Sequence, residues 1–409
     1  MSQLTLRVLV IGGGLGGLCL AQALHQAGVE VAVYERDASP IFRGQGYRIH
    51  IDSRGEQALQ ECLPPRLYEL FAATRGQASR QITIFTVDNK ELKEAQVWPF
   101  PEGDSPVLIR AGSAVDRLTL RQILLAGLDD IVHFNKEFTR YEKQDDGRVR
   151  AYFTDGTSAI GDVLVAADGV GSRVRQQFLP HAQVIDLGVR WIGGKTILTD
   201  EIIPLLPAQL YEGFATVAGS NYSMVLGLVR FRQRPDEAAA QLWPGLRFHH
   251  THDYIMWGLL GRREQLPVRD EELQAMDGAS LQRVAVDLTK GWHPTLHTLT
   301  RQADPEESFV LTMRSSVPIE HWQTGNVTLL GDAIHAMSPS RGSGGNTALR
   351  DASLLSRNLI AVAHQRTPLQ QALHDYEIEM VRYGFDAVRA SLQGGGRAPF
   401  PLRSDRAAM

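Results

Sequence analysis

The sequence predicts an α/β protein with an N-terminal parallel sheet, a strand-rich middle unit and C-terminal helices. Three observations support this prediction. A buried strand precedes a glycine-rich turn at residues 12–17, apolar and polar residues alternate at 213–217 and 222–231, and apolar residues recur at helical spacing after residue 347. The chain has 409 residues, enough for two or more domains.

The composition is that of an ordinary globular protein. Hydrophobic residues make up 43% of the chain, charged residues make up 22%, and the formal net charge is -4. Since no block of like charge occurs, no nucleic-acid partner is expected. The two cysteines, Cys19 and Cys62, are too few for a disulfide framework, so we expect a reducing, cytoplasmic location.

The apolar stretch from Val8 to Leu24 is interpreted as part of a soluble domain. The glycines at 12–17 disfavour a continuous helix, and Gln22 and His25 end the stretch before the ~20 apolar residues that a membrane span requires. We therefore predict neither a signal peptide nor a membrane span.

The N-terminal unit has the order strand, glycine turn, helix, strand and acidic residue. Thr5 to Ile11 is predicted to be a buried strand, and Glu35 ends the second strand. In the turn, Gly12 permits a tight bend, Gly14 lets a pyrophosphate approach the backbone, and Gly17 lets the helix pack closely on the strand. The helix N-terminus favours phosphate, and Glu35 has the spacing of a ribose-binding acid. The unit predicts a dinucleotide site, without separating FAD from NAD.

Two later segments repeat the pattern of a buried strand followed by an acidic residue. Asp168 ends the strand in DVLVAADGVGSRVR, and Asp332 ends the strand in VTLLGDAIHAMSPSRGSGGN, where a second glycine cluster precedes a helix. Ligands of α/β sheets bind at the carboxyl ends of strands, so both residues are candidate ligand contacts. For Asp168 alone, an ordinary Asp-Gly turn is an equally good explanation.

These motifs together resemble the class A flavoprotein monooxygenases, the para-hydroxybenzoate hydroxylase-like group, and especially its tetracycline-inactivating and salicylate hydroxylase-like members. The resemblance covers most of the chain. It rests on GGGLGGL with Glu35, ADGVGSRVR and GDAIHAMSPSRGSGGNTALRDA, and more weakly on DRLTLRQILL. The sequence departs from the family at Ser343, where glutamine is usual.

The resemblance implies a domain organisation. A Rossmann-like, GR2-type FAD-binding domain would be interleaved with a mostly antiparallel, substrate-binding β-sheet domain, and C-terminal helices would follow. The FAD-binding domain would comprise residues 1–180 and 300–395. The substrate domain would comprise residues 181–299 with a short piece inside 70–110, and residues 396–409 would form a flexible tail.

The resemblance also implies FAD as cofactor and NAD(P)H as co-substrate. The glycine turn would hold the pyrophosphate, Glu35 the adenosine ribose and Asp332 the ribityl chain. The implied cofactor-binding residues are Gly12, Gly14, Gly17, Glu35, Arg36, Arg43, Arg117, Asp168, Asp332, Gly344, Gly345 and Asn346. The residues expected beside the flavin and the substrate are His50, Met224, Val225, Gly227 and Pro339.

The implied activity is the insertion of one oxygen atom from O2 into a small, hydrophobic, aromatic or polyketide-like substrate, through a flavin C4a-hydroperoxide. Baeyer–Villiger-type oxygenation, epoxidation, flavin-linked reduction or dehydrogenation, and a non-enzymatic flavin sensor remain open. His335 is expected to be a structural, hydrogen-bonding residue. No metal is expected at His249–Asp253, because adjacent strand residues point to opposite faces. The sequence leaves the oligomeric state open.

Overall fold

The computed structural model describes residues 6–39, 46–88, 91–99 and 111–394. Arg43 and the expected tail at 396–409 lie outside the described residues. The strands within the described ranges are β1 (Arg7–Ile11), β2 (Glu30–Tyr34), β3 (Arg48–Asp52), β4 (Ala78–Ser79), β5 (Gln81–Asp88), β6 (Glu91–Pro99), β7 (Gly112–Asp116), β8 (Val132–His133), β9 (Phe138–Lys143), β10 (Val149–Phe153), β11 (Ser158–Gly161), β12 (Val163–Ala166), β13 (Val184–Ile197), β14 (Gly213–Ala218), β15 (Tyr222–Val229), β16 (Tyr254–Arg262), β17 (Phe309–Ser316) and β18 (Val327–Leu329).

The described ranges also contain twelve α-helices. They are α1 (Leu15–Gln26), α2 (Ser53–Cys62), α3 (Pro65–Thr74), α4 (Arg117–Leu125), α5 (Arg173–Phe178), α6 (Pro235–Leu242), α7 (Asp270–Ala275), α8 (Gly278–Leu288), α9 (Pro294–Arg301), α10 (Asp332–His335), α11 (Gly344–Ala363) and α12 (Leu369–Gly394). None of the helices in the described ranges combines the length and the apolar composition needed to cross a bilayer.

The sheet that contains the N-terminal strand is parallel throughout, in the order β18-β12-β1-β2-β8. Its central strands are apolar and almost completely buried, as expected when helices cover both faces of a parallel sheet. Because the strands run in the same direction, their carboxyl ends share one edge. That edge carries the residues after β1, β2, β12 and β18, which confirms the predicted α/β fold.

A second, seven-stranded sheet has the order β17-β13-β16-β15-β14-β5-β6 and is antiparallel except where β14 meets β5. The predicted hairpin is present as β14 and β15. Strands β5 and β6, from the segment inside 70–110, complete one edge. At the other edge β17, which lies beyond the expected boundary at residue 299, pairs with β13.

One face of the seven-stranded sheet is covered by helices, and the other is turned toward the parallel sheet. Met224, Leu226 and Trp257 pack against apolar residues of α8 and α9 on the helix-covered face. Val225 and Met256 belong to a separate apolar cluster on the opposite face. The alternation of side chains along each strand produces these two environments.

Local differences from the sequence predictions have identifiable causes. The sequence predicts one helix from Glu271 to Leu288, but the structure divides it into α7 and α8. The Asp277 side chain accepts a hydrogen bond from the Ser280 N–H and caps a new helix. The strand predicted from His249 begins only at Tyr254. The two histidines therefore lie in the loop before β16.

Candidate cofactor and substrate site

A cavity of about 1070 Å³ is lined by residues of both the parallel sheet and the seven-stranded sheet. It contains both glycine-rich turns, although they are more than 300 residues apart in the sequence. The structure therefore brings most of the predicted site residues together. Those that line the cavity are Gly12, Gly14, Gly17, Glu35, Arg36, His50, Arg117, Asp168, Asp332, Pro339, Gly344 and Gly345.

The first glycine turn is tightly packed on its protein side and open at its centre. Gly12 has φ +109°, and a Cβ atom there would lie 2.3 Å from the carbonyl oxygen of Ala167. A Cβ atom on Gly17 would lie 2.3 Å from the carbonyl oxygen of Gly12. Gly14 caps α1, and a Cβ atom there would meet nothing within 4 Å. This space lies at the helix N-terminus, where phosphate binding is favoured.

Buried Arg121, which is not among the predicted site residues, holds Glu35 at the end of β2 against this turn. Glu35 accepts hydrogen bonds from the backbone N–H of Gly13 at 2.7 Å and of Asp37 at 2.9 Å. Arg121 donates from Nε to the Gly13 carbonyl oxygen at 3.0 Å, and its Nη2 lies 3.5 Å from Glu35 Oε2. The spacing in DRLTLRQILL was a usable signal, because Arg121 follows Arg117 by one helical turn.

The two predicted aspartates lie at the carboxyl ends of neighbouring strands. Asp168 Oδ2 accepts a hydrogen bond from the Arg173 N–H at 2.9 Å, whereas its buried Oδ1 has no partner within the described ranges. Burial raises the pKa of Asp168. Asp332 begins α10, and its accessible surface faces the cavity. Loss of hydration in the surrounding protein raises the pKa of the Asp332 carboxyl group, while the positive charges of His335 and Arg117 oppose this rise.

The second glycine cluster borders the cavity, but Asn346 does not line it. The Asn346 side chain donates to the carbonyl oxygens of His50 at 2.7 Å and Gly342 at 3.0 Å, and it accepts from the Asp52 N–H at 2.9 Å. The side chain of Asn346 is therefore engaged by the protein, and a backbone contact of Asn346 with the flavin stays a prediction. Its side chain is used to join the start of α11 to β3.

The expected substrate-facing residues on β15 also need correction. Met224 is fully buried on the helix-covered face, because alternation turns it away from the cavity. Val225 and Gly227 lie on the cavity side of the sheet but are covered by other side chains and do not line the cavity. The wall is instead supplied by Ile82, Ile84, Trp98, Trp191, Phe214, Thr216, Met256, Phe309, Leu311 and Met313.

His250, in the loop before β16, belongs to a buried ionic network. His250 Nδ1 lies 3.0 Å from Asp116 Oδ2, which also accepts from the Tyr254 hydroxyl at 2.7 Å. The Nε2 atom of His250 lies 3.4 Å from Glu307 Oε1, and Glu307 Oε2 pairs with Lys195 Nζ at 2.6 Å. Burial alone would lower the pKa of His250, but its bonds to Asp116 and Glu307 raise it to about 9.

Two members of this network, His250 and Glu307, also belong to a group of three residues with the spacing of metal ligands. The potential ligand atoms of His249, His250 and Glu307 lie within 4.8 Å of one another. The strand-alternation argument does not apply here, because His249 and His250 are in a loop. However, His250 is engaged by Asp116 and Glu307 is engaged by Lys195, so neither is a free ligand.

His335 has a buried structural position within the described chain. Its Nε2 lies 2.7 Å from Asp351 Oδ2, which also accepts from the Gly331 N–H at 2.7 Å. Tyr383 donates to the other oxygen of Asp351 at 2.6 Å. The cluster holds the turn between β18 and α10, which presents Asp332 to the cavity.

Similar proteins identify the class of this fold. An NAD(P)-binding Rossmann-like domain matches residues 10–60, and an FAD binding domain matches residues 263–391. The FAD-dependent monooxygenase dbaB of Emericella nidulans is 30% identical over 87% of this chain and 87% of its own. A crystal structure of a Photorhabdus luminescens protein described as an FAD-containing monooxygenase has a TM-score of 0.78 and 32% identity, covering 98% of this chain and 100% of that one.

A longer relative matches almost the same part of the chain. The dual O-methyltransferase/FAD-dependent monooxygenase CTB3 of Cercospora beticola is 32% identical over 394 residues, which are 91% of this chain. These residues are 44% of that protein, so the chain spans less than half the length of this relative.

The fold and the cavity define a dinucleotide-binding α/β protein whose cavity is also lined by apolar residues of a second sheet. The chain belongs to the FAD-dependent monooxygenases, which confirms the resemblance read from its motifs. The residues present fit FAD. The turn at Gly14 is open where a pyrophosphate would lie, and Asp168 Oδ1, which has no partner in the described part of the chain, can accept a hydrogen bond.

Proposed function

We propose that this chain uses FAD, NAD(P)H and O2 to insert one oxygen atom into a small hydrophobic substrate. The observation that supports this proposal is a single cavity that joins the two glycine turns to the apolar wall of the seven-stranded sheet. Bound FAD supplies the redox chemistry, while the protein binds and orients the reactants.

The proposed cofactor position follows the carboxyl edge of the parallel sheet. Gly12, Gly14 and Gly17 would hold the pyrophosphate at the N-terminus of α1, and Glu35 would bind the adenosine ribose. Arg36, Arg117 and Arg121 would offset the phosphate charge. The remaining contacts would be Asp168 near the nicotinamide path, Asp332 at the ribityl chain, and His50, Pro339, Gly344 and Gly345 around the flavin ring.

The proposed division of labour between the two sheets follows from what each contributes to the cavity. Residues 1–180 and 300–395, apart from strands β5, β6 and β17, would bind FAD, and the seven-stranded sheet would bind the substrate. Trp98, Trp191, Phe214 and Met256 provide an apolar wall for an aromatic or polyketide-like compound. The same wall would exclude water from the reacting atoms, which limits loss of the activated oxygen.

Isotope labelling tests this function directly. The FAD-loaded protein would be reduced anaerobically with NADH or NADPH and then mixed with ¹⁸O2 in the presence of phenols, polyketides or ketones. We expect one labelled oxygen atom per product molecule. Nicotinamide-dependent flavin reduction without labelled product from any compound would contradict the proposal and favour a reductase, and absence of reduction would favour a sensor.

A variant of Asp332 links this activity to the site. Asp332→Ala should lower both FAD content and labelled product, because the cavity-facing carboxylate is lost. The matched control Asp375→Ala removes an exposed carboxylate that contacts Gln371 on α12, far from the cavity lining. Full FAD content in Asp332→Ala would show that this residue does not contribute to cofactor binding.

A further inference from the structure

Arg48 lies in the cavity and is held at the surface of the seven-stranded sheet. It is on β3, two residues before His50, so both side chains leave the same face of the strand. Its Nη2 donates to Ser79 Oγ at 2.9 Å, and its Nε donates to the Leu228 carbonyl oxygen at 3.2 Å. The guanidinium carbon lies 5.4 Å from the centroid of the Phe214 ring.

The positive charge of Arg48 has no carboxylate partner within the described ranges. Several other cations are paired with carboxylates: Arg121 faces Glu35, and Lys195 pairs with Glu307. Buried Arg175 instead donates to the carbonyl oxygens of Ala333 and Val170. Arg190 is held by two aspartates. Burial lowers the pKa of Arg48 to about 10, so it is still a cation at neutral pH. Arg48 is half-buried and faces the cavity, so an anionic ligand there would stabilise a charge that no carboxylate of the described ranges balances.

The sheet provides space for this particular side chain. A Cβ atom on Gly227 would lie 2.7 Å from Arg48 Cδ and 3.0 Å from its Nε. Any other residue at position 227 would therefore displace the arginine from the face of β15. The hydrogen bonds to Ser79 and Leu228 leave Nη1 without a protein hydrogen bond within the described ranges.

The surroundings of Arg48 restrict the kind of anion that would fit. The cavity wall beside it is formed by Phe214, Trp191, Ile84 and Met256, which offer aromatic and aliphatic surface. A small hydrophilic anion would leave this apolar surface without a packing partner. An aromatic acid would contact both the guanidinium and the apolar wall.

We propose that Arg48 determines substrate specificity by binding an acidic group, a carboxylate or an ionised phenol or enol, on an aromatic or polyketide-like substrate. This inference rests on the proposed function, because it assigns the substrate class of that cavity. Arg48 thus adds charge recognition to a wall that is otherwise suited to apolar contact.

Two probes of the same shape test the charge preference without turnover. We would titrate the FAD-loaded protein with 2-naphthoate and with its neutral amide, 2-naphthamide, and follow flavin absorbance and tryptophan fluorescence, since Trp98 and Trp191 line the cavity. The wild-type protein should bind the acid about ten-fold more tightly than the amide, as expected for a charge-assisted hydrogen bond. Arg48→Met should abolish this preference, and Arg48→Lys should retain part of it.

Two further variants separate a loss of charge recognition from a folding defect. Gly227→Ala leaves the arginine in the chain but should reduce the preference by displacing its side chain. Arg230→Met removes a half-exposed cation just after β15, outside the cavity, and should leave the preference unchanged. Equal affinity of the wild-type protein for both probes, or an unchanged preference in Arg48→Met, would overturn the proposal.

The binding result is independent of the monooxygenase proposal. If the charge preference is observed but no oxygen is transferred in the ¹⁸O2 experiment, the substrate class stands and the reaction type fails. If oxygen is transferred and Arg48→Met keeps the preference for the acid, the reaction type stands and the role of Arg48 fails.

Discussion

At the scale of single residues, glycines at neighbouring positions of one turn have different functions. Gly17 is enclosed by the Gly12 carbonyl oxygen, the Ala167 side chain and the Val10 side chain, whereas Gly14 faces open space in the cavity. Gly17 is constrained by the folded protein. Gly14 is constrained only when a ligand is bound, because its backbone has an ordinary φ of -80°.

This difference predicts that substitution by alanine will affect stability at Gly17 and FAD binding at Gly14. Gly17→Ala should lower the free energy of unfolding by about 1–3 kcal/mol, because the added methyl group overpacks the contact between α1 and β1. Gly14→Ala should leave the stability of the FAD-free protein nearly unchanged but weaken FAD binding about ten-fold or more, ~1.4 kcal/mol. Denaturation and FAD titration measure the two effects, and equal loss of stability in both variants would contradict the assignment.

Arg121 should contribute to stability as well as to cofactor binding. Its side chain is almost fully buried between Glu35, Asp37 and the Gly13 carbonyl oxygen. Arg121→Met leaves two buried carboxylates without this cation, so we expect a loss of about 3 kcal/mol in unfolding free energy. Arg117→Met is the comparison one turn earlier on α4, and it should weaken FAD binding with a smaller loss of stability. Urea denaturation that finds Arg121→Met as stable as the wild type would contradict this prediction.

At the scale of elements, β3 and the start of α11 form one wall of the cavity although they are distant in sequence. Asn346 joins them through two hydrogen bonds to β3, and a third bond reaches Gly342 just before α11. Gly55 on α2 leaves room for the Asn346 side chain, since a Cβ atom there would lie 2.2 Å from Asn346 Oδ1. The position of the second glycine cluster therefore depends on an interaction between elements rather than on its own turn.

Replacing this amide by a carboxylate tests the connection. Asn346→Asp keeps the size of the side chain but places an acceptor oxygen against the carbonyl oxygens of His50 and Gly342. We expect a loss of about 2 kcal/mol or more in unfolding free energy, together with reduced FAD content. The control is Asn358→Asp on the same helix, which loses a single bond to the Ala372 carbonyl oxygen. FAD content should be normal in that control, and normal content in Asn346→Asp would refute the connection.

At the scale of the whole molecule, the ionic network around His250 connects the cofactor side to the substrate side. Asp116 caps α4, which carries Arg117 and Arg121, whereas Lys195 is on β13 of the seven-stranded sheet. Burial alone would raise the pKa of Glu307, but its bonds to His250 and Lys195 lower it to about 2. The network is thus charged at neutral pH and links the start of α4 to β13.

The raised pKa of His250 predicts a pH dependence of stability. Because this pKa is about 9 in the folded protein against an ordinary value of 6.5, the folded state binds the proton more tightly. The stabilisation is complete below pH 6.5 and is lost as the pH rises through 9. Thermal unfolding should show Tm falling over this window, and His250→Asn should flatten the fall. His252→Asn, at an exposed position two residues later, is the control and should keep the wild-type slope.

Much of the fold and of the cofactor half of the site could be predicted from the sequence. The glycine spacing at 12–17 and the aspartates after buried strands are local patterns, and parallel strands bring their carboxyl ends to one edge. These patterns sufficed for Glu35, Asp168 and Asp332, which all line the cavity. Arg121 was also within reach, because helical periodicity places it beside Arg117.

The substrate half could not be predicted in the same way. Alternation along β15 shows that Met224 and Val225 point to opposite faces, but it does not show which face is covered by helices or by Arg48. Residues from β5, β6, β13 and β17 reach the wall only after strands far apart in sequence pair. Those contacts depend on long-range packing, for which a single sequence has no local signal.

The sequence by itself therefore determined the dinucleotide-binding unit, because turn geometry and helix dipoles act over a few residues. Only the tertiary structure decided which sheet face is the wall of the cavity and that the Asn346 side chain joins β3 to the start of α11. It also decided that Arg48 lies in this wall with no carboxylate of the described ranges beside it. The reason is that burial and charge compensation depend on neighbours that the chain brings together only by folding.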